Sequence, residues 1–421
     1  VLLCIFSFYI IRLFTLRDFA RQSQSQILAQ LSEARVALLS LNASEAETSL
    51  VAVNTELVDL EKELKRFGVL GAVSFWDRVT DTLRGMPGLI EDLIGISGTA
   101  IHINDDLRFL KEHGPRLFLS GPGDELLSRL SLLENKLATL SAFIEKPEIR
   151  ALPDPTIQNE IRGLRVALEK AKSFIANIGL FIGSPKTRHL LVLFQNESEL
   201  RPGGGFLGSY AHLAIKDGAV QMIDVRDIYD PDGQLDIKMI PPEPLQRITK
   251  DWEARDANWF FDYPTSANHV ISFLNQSKIY SEQNIAFSGA IAINTKVLGD
   301  LLTLIGPIEL PQYDAELTSD SFLRILQREV ESGENKKKNQ PKKIVQELVP
   351  LVLERIQTQS ANIYQPLFER MNYHLARKNI LFFSTELPLQ KNFIDVGISG
   401  SITKTPLTTS TVGDYLAVVS A

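Results

Sequence analysis

The stretch that decides the fold is residues 188–227, RHLLVLFQNESELRPGGGFLGSYAHLAIKDGAVQMIDVRD. His189 to Phe194 is a short apolar run with strand character. Phe206 to Ile215 and Ala219 to Val225 flank Lys216-Asp217-Gly218, whose Asp-Gly pair signals a hairpin turn between two strands. Between the first run and the hairpin lies Asn196 to Gly208, the most unusual segment of the chain. Gly203, Gly205 and Gly208 formally spell G-x-G-x-x-G. A dinucleotide site needs a helix after that loop, to aim its N-terminus at pyrophosphate, and here a strand follows. The Lys-Ser/Thr of a phosphate-binding Walker loop is also missing. Two readings stay open: a Gly-rich turn whose backbone N–H groups receive an anion beside Arg201, or a tight strand connection that requires positive φ.

Downstream of this stretch, Pro264 to Leu274 reads as a helix and Ala286 to Ile293 as a buried strand. Thr295 to Leu304 reads as a helix closed by Gly306-Pro307, followed by a short strand at Ile308 to Leu310. Ser319 to Glu331 and Ile344 to Arg377 add helices around a polar, lysine-rich connector at 332–343. Strands interleaved with helices give an α/β or α+β layered domain over 188–380. Residues 381–421 are expected to be a truncated C-terminal extension, with a strand at Tyr415 to Val419.

Upstream, Gly183-Ser184-Pro185 marks a change of grammar. No Gly or Pro precedes Gly68, so long helix is the natural reading. Ile27, Leu31, Ala34, Leu38 and Leu41 form one apolar stripe, and Leu50, Val53, Leu57, Leu60 and Leu64 another. Ser44-Glu45-Ala46-Glu47 is a capping-box pattern between them. Breaks are expected at Gly85-Met86-Pro87-Gly88, Gly114-Pro115 and Gly121-Pro122-Gly123, and Asp154-Pro155 opens a further helix to about Phe181. Residues 17–187 thus read as an all-helical stalk or bundle. The apolar run from Val1 reads as a partial transmembrane helix over 1–16. Arg12 follows the unbroken run Val1 to Ile11 and Arg17 and Arg21 follow the segment, a flank that favours the cytoplasmic side.

The chain has 421 residues and a net charge of -7, which disfavours a nucleic-acid binder. Cys4 is its one cysteine, so intrachain disulfides and thiolate metal cages are excluded. Arg226 and Asp227 sit at a strand end, where sites are often built. Asp230, Asp232 and Asp236 follow in a loop, but no register there fits a calcium-binding EF-hand, and solvated turn residues are the plainer reading. Asp256-Ala257-Asn258-Trp259 leads into the helix at Pro264. Lys336 to Lys343, including Lys342, form a basic cluster that reads as a solvated face or as a lid over phosphate. No Ser-His-Asp arrangement is evident.

The stretch quoted above, with DANW at 256–259, DYPTSA at 262–267 and GAIAINTKVLGDLLTLIGPIEL at 289–310, resembles the bacterial domain-of-unknown-function family 4012. More distantly, the same order resembles the LytR-CpsA-Psr proteins. That likeness implies a membrane-anchored, extracytoplasmic α-β-α phosphotransferase that moves a glycopolymer from a polyprenyl-pyrophosphate carrier, with arginines on the pyrophosphate and carboxylates on Mg2+. Arg201 resembles the Arg of the family's Arg-Ser-Asp-Thr motif, and Arg226-Asp227 its Arg-Asp pair. Asn196 stands where the family has a metal-binding Asp, and Pro202-Gly203 replaces Ser-Asp, so the expected metal carboxylates are absent and no metal ligand is assigned. The resemblance implies catalytic roles for Arg201, Arg226 and Asp227, and together with the readings above the expected ligand contacts are Asn196, Gly203, Gly204, Gly205, Asp256, Asn258 and Lys342. The expectation is a single-pass cell-membrane protein that binds or transfers a polyprenyl-linked glycopolymer. The rival is a non-catalytic surface or envelope-assembly protein that has lost the metal site.

Overall fold

A computed structural model describes residues 43–68, 77–150, 155–199, 201–337, 340–359 and 363–402, with scattered residues between 22 and 37. The 1–16 segment and Tyr415 to Val419 lie outside these residues. No described helix is long and apolar enough to cross a membrane. The chain divides into two compact units. The first comprises 1–110 and 128–176, and the second 111–127 and 177–421.

Long helices build the first unit: α1 (Ala43–Gly68), most of α2 (Asp77–Ser120), α3 (Gly123–Ile144) and most of α4 (Pro155–Ile182). Leu50, Val53 and Leu57 are buried along α1, the stripe that their 3-4 spacing requires. Ile103 of α2 packs with Leu133, Leu137, Leu140 and Ile144 of α3 and Leu168 of α4. A β-carbon on Gly95 would stand 2.7 Å from the Phe143 ring, so that glycine lets α2 and α3 approach closely. The expected breaks at Gly85–Gly88 and Gly114–Pro115 do not occur, and α2 passes through both. An internal proline costs about 3 kcal/mol of helix stability. Burial of apolar residues such as Ile103 along the 44-residue helix offsets that cost. The break at Gly121–Gly123 is present, as is the helix start at Pro155.

The second unit is mixed α/β. Its sheet has the order β3-β2-β1-β4-β7, from β1 (Arg188–Asn196), β2 (Phe206–Lys216), β3 (Ala219–Asp227), β4 (Phe287–Asn294) and β7 (Ile380–Ser384). β1 and β4 run parallel and the other pairings are antiparallel. The β2–β3 turn has φ of 50° at Asp217 and 80° at Gly218, the left-handed pair that its Asp-Gly sequence predicts. Because β7 is an edge strand of this sheet, the sheet continues past the expected boundary at 380.

One face of the sheet contributes Leu191, Leu193, Tyr210, Ala290, Ala292 and Leu381 to a core with α5 (Tyr263–Gln276), through Ala267, Val270, Ile271 and Leu274. A second core joins α6 (Thr295–Ile305), β5 (Ile308–Leu310), β6 (Ala315–Leu317), α7 (Phe322–Ser332), α8 (Lys343–Thr358) and α9 (Tyr364–Ala376). The lysine-rich connector holds a short helix, Glu334–Lys337, and Lys342 forms the N-cap position of α8. The pairing of β1 with β2 shifts between Phe194 and Gln195, so that Gly208 has no partner on β1. That irregularity bends β2 beside the Gly-rich loop.

Candidate functional site

β1, β3 and β4 run in one direction, so Asn196, Asp227 and Asn294 lie at one end of the sheet. The loop 197–205 crosses that end. Glu197 ties it to the start of α6, accepting from Lys296 Nζ at 2.8 Å and Thr295 Oγ1 at 3.3 Å. Asn196 closes a local turn: Oδ1 accepts from Ser198 N at 3.2 Å and Nδ2 donates to Glu199 Oε1 at 3.0 Å. The Phe206 N–H donates back to Glu199 O at 3.0 Å.

Asn258 and Gln195 pin Gly203 and Gly205. Asn258 Nδ2 donates to Gly205 O at 2.8 Å, Gly203 N donates to Asn258 O at 3.3 Å, and Gln195 Nε2 donates to Gly203 O at 2.8 Å. Gly204 N donates to Arg201 O at 3.1 Å. Gly204 and Gly205 have φ of 101° and 129°, and a β-carbon on Gly205 would stand 2.5 Å from Asn196 O. The glycines therefore serve a tight connection. The N–H groups of Gly203 and Gly204, expected to receive an anion, donate to Asn258 O and Arg201 O instead. Asn258 is likewise a buried bracket of the loop.

The charged groups divide between the two faces of the sheet. Successive residues on a strand point to opposite faces, so Arg226 and Asp227 part company. Arg226 Nε donates to Asp224 Oδ2 at 2.6 Å, on the face that holds Tyr210 and His212, its neighbours across the β2–β3 ladder. Asp227 Oδ1 accepts from Tyr229 N at 3.1 Å. Burial raises the Asp227 carboxyl above the usual range, and the charge of Lys342 opposes that rise.

Lys342 Nζ lies 2.9 Å from where a β-carbon on Gly208 would stand, and Phe206 Cδ1 lies 3.8 Å from the same point. Arg201 Cζ is 5.0 Å from the centre of the Phe206 ring, and Arg201 Nη2 is 3.4 Å from Asp256 Oδ1. Arg201 and Lys342 thus both lie near Phe206, and the charge of Lys342 reaches Asp227. The Lys342 ammonium makes no hydrogen bond or ion pair among the described residues. Its approach is possible because residue 208 has no side chain.

Asp256 also belongs to a structural network. Arg255 Nε is 3.5 Å from Asp256 Oδ2, and Arg255 contacts Glu253 and Asp232. Asp232, one of the three expected turn carboxylates, is buried, and it accepts from Ala254 N at 2.8 Å and from Arg255 N at 3.3 Å. Burial pushes its carboxyl up to about 7. Asp232 is therefore a folding residue of the 228–262 segment, not a solvated one.

The arrangement does not fit Mg2+. Both polar atoms of the Asn196 side chain are engaged in its turn, and among the described residues no three His, Cys, Asp or Glu side chains are grouped to hold a metal ion. Of the residues predicted from sequence, Arg201, Asp227, Asp256 and Lys342 come together, Asn196 and Gly203 to Gly205 shape the loop, and Arg226 stands apart. Phe206 was missed, although a ring five residues after Arg201, across a Pro-Gly-Gly-Gly turn, is a natural platform for it.

Residues 186–330 match the family described as a protein of unknown function, DUF4012. The match includes the loop, Arg201, Phe206, Asp227 and Asp256, and ends before Lys342. No curated protein matches the chain.

Proposed function

We propose that this protein is an envelope-located, LytR-CpsA-Psr-like α-β-α protein that binds the phosphate of a polyprenyl-linked glycopolymer at Arg201 and Lys342. The carrying observation is that both cations stand near Phe206, with the Lys342 ammonium making no hydrogen bond or ion pair among the described residues. An anion between them would gain charge-assisted hydrogen bonds, among the stronger polar contacts available to a protein. Asp256 contacts Arg201 at 3.4 Å, and the charge of Lys342 acts on the buried Asp227 carboxyl.

Binding is a better reading than transfer. A transferase must neutralise the charge that develops on a pyrophosphate, and Asn196 with Pro202-Gly203 supplies no carboxylate for a metal that would do so. The apolar run at 1–16 suits a membrane anchor, with the folded units outside the cytoplasm. The pairing of Arg226 with Asp224 and of Arg201 with Asp256 favours a second reading, an assembly protein with no ligand at this site.

The experiment is equilibrium binding of a polyprenyl phosphate to the detergent-solubilised chain. Arg201→Ala and Lys342→Ala should each weaken binding roughly tenfold or more. Unchanged affinity in both variants overturns the site, and no binding by the parent chain favours the assembly protein.

A further inference from the structure

Residues 239–252 form a closed loop on the segment between β3 and α5. An isolated bridge between Met239 and Trp252 closes its base, and Trp252 N donates to Met239 O at 2.8 Å. Leu245 and Trp252 point inward to the sheet core, with Met239 packed against it. Leu245 N donates to Pro242 O at 2.8 Å, and Gln246 Nε2 donates to Pro241 O at 2.9 Å. Three prolines, Pro241, Pro242 and Pro244, further restrict the backbone. The loop is therefore a built feature.

Its outward side chains are unlike an ordinary loop surface. Ile240 and Ile248 are 81% and 83% exposed, and Ile237 just before the loop is exposed as well. Single exposed apolar residues need no explanation, but two nearly bare isoleucines on one closed loop form an apolar projection. Between residues 237 and 252 the charges are Lys238, Arg247 and Lys250 against Glu243 and Asp251. Lys238 leans toward Asp251 at 3.8 Å, whereas Arg247 and Lys250 have no carboxylate partner among the described residues. Apolar tips flanked by unpaired cations are the composition of an element that lies in a membrane interface, where anionic headgroups attract each nearby cation.

We infer that the 239–252 loop docks on an anionic bilayer surface, inserting Ile240 and Ile248 while Arg247 and Lys250 face the headgroups. The docking does not depend on a ligand at Arg201. The loop base adjoins that site, since Trp252 Nε1 donates to Asp256 O at 3.3 Å, so docking would hold the site close to the bilayer.

The test uses the full chain with Cys4→Ser and Ile248→Cys, labelled with an environment-sensitive fluorophore and reconstituted into phosphatidylglycerol-containing vesicles. Gln221→Cys, on exposed edge strand β3, is the comparison position. Brominated lipid should quench the label at 248 and not at 221, and the quenching should weaken in phosphatidylcholine alone. Ile240→Asp should reduce the quenched fraction roughly tenfold, while Arg201→Ala should leave it unchanged. Equal behaviour at 248 and 221, or loss of the signal in the Arg201→Ala chain, overturns the docking. Protein-concentration-dependent brightening of the 248 label without lipid identifies a second copy as the occupant, and overturns it as well.

Discussion

The Lys342 ammonium stands over Gly208, 2.9 Å from the place a β-carbon would take. The contact is with the far end of a flexible side chain, so Gly208→Ala should displace the ammonium with little strain in the backbone. The expected result is a fold destabilised by less than about 1 kcal/mol, with polyprenyl-phosphate affinity reduced in the direction of Lys342→Ala. Paired denaturant melts and binding isotherms check this. A variant that binds as the parent does would show that the position of Lys342 is irrelevant.

Gly203 and Asn258 should behave as one unit. A β-carbon on Gly203 would stand 2.0 Å from Asn258 Oδ1, so Gly203→Ala forces the bracket apart and should cost about 1–3 kcal/mol. Asn258→Ala strands the buried carbonyl of Gly205, at about 1–3 kcal/mol. The double variant should lose less than the sum, because removing the amide makes room for the methyl group. Additive losses in a double-mutant cycle by urea unfolding would disprove the coupling.

Much of this site was legible in the sequence, for physical reasons that also explain the failures. The hairpin could be read because Asp217-Gly218 permits little else between two apolar alternations. The parallel placement of β4 and the arrival of β7 from residue 380 could not, because strand pairing over long separations leaves no local mark. Period-two alternation already implied that Arg226 and Asp227 face opposite ways and that Asp224 shares the face of Arg226. The family resemblance joined residues that the strand geometry separates. The proline-containing helix α2 was misread for the opposite reason: local propensity predicted breaks, and tertiary burial overrode them. Lys342 was singled out only as part of a lysine cluster, since nothing local says which of those lysines meets Gly208.

Arg226 offers the sharpest contrast with Arg201. Its partner Asp224 lies at 2.6 Å, and both side chains are about one-third exposed. An ion pair of that exposure is worth no more than about 1 kcal/mol. Arg226→Ala should therefore lower stability slightly and leave polyprenyl-phosphate binding at the parent value. Isothermal titration with the parent, Arg201→Ala and Arg226→Ala chains tests the assignment. A loss of affinity in Arg226→Ala equal to that of Arg201→Ala would restore the two-arginine clamp.

His212 should make stability depend on pH. It is 3% exposed, with His189 Nδ1 at 2.8 Å from its Nε2 and the Tyr280 and Phe287 rings packed edge-on. Burial, reinforced by His189 and only partly opposed by Asp224, pushes its imidazole down to about 4. The unfolded chain takes up this proton near pH 6.5 and the folded chain only near 4, so the unfolded state binds more protons across that window. The contribution is intact above about pH 6.5 and is lost as pH falls toward 4, by up to about 1.4 kcal/mol per pH unit. Asp232 has the opposite sign. Its carboxyl, raised to about 7, favours the folded state at low pH and loses that contribution as pH rises through 7. His212→Gln keeps a polar partner for His189 and removes the titration. Urea midpoints at pH 7 and pH 4.5 should fall further for the parent chain than for His212→Gln, and parallel losses would show that the imidazole at 212 is not the group responsible.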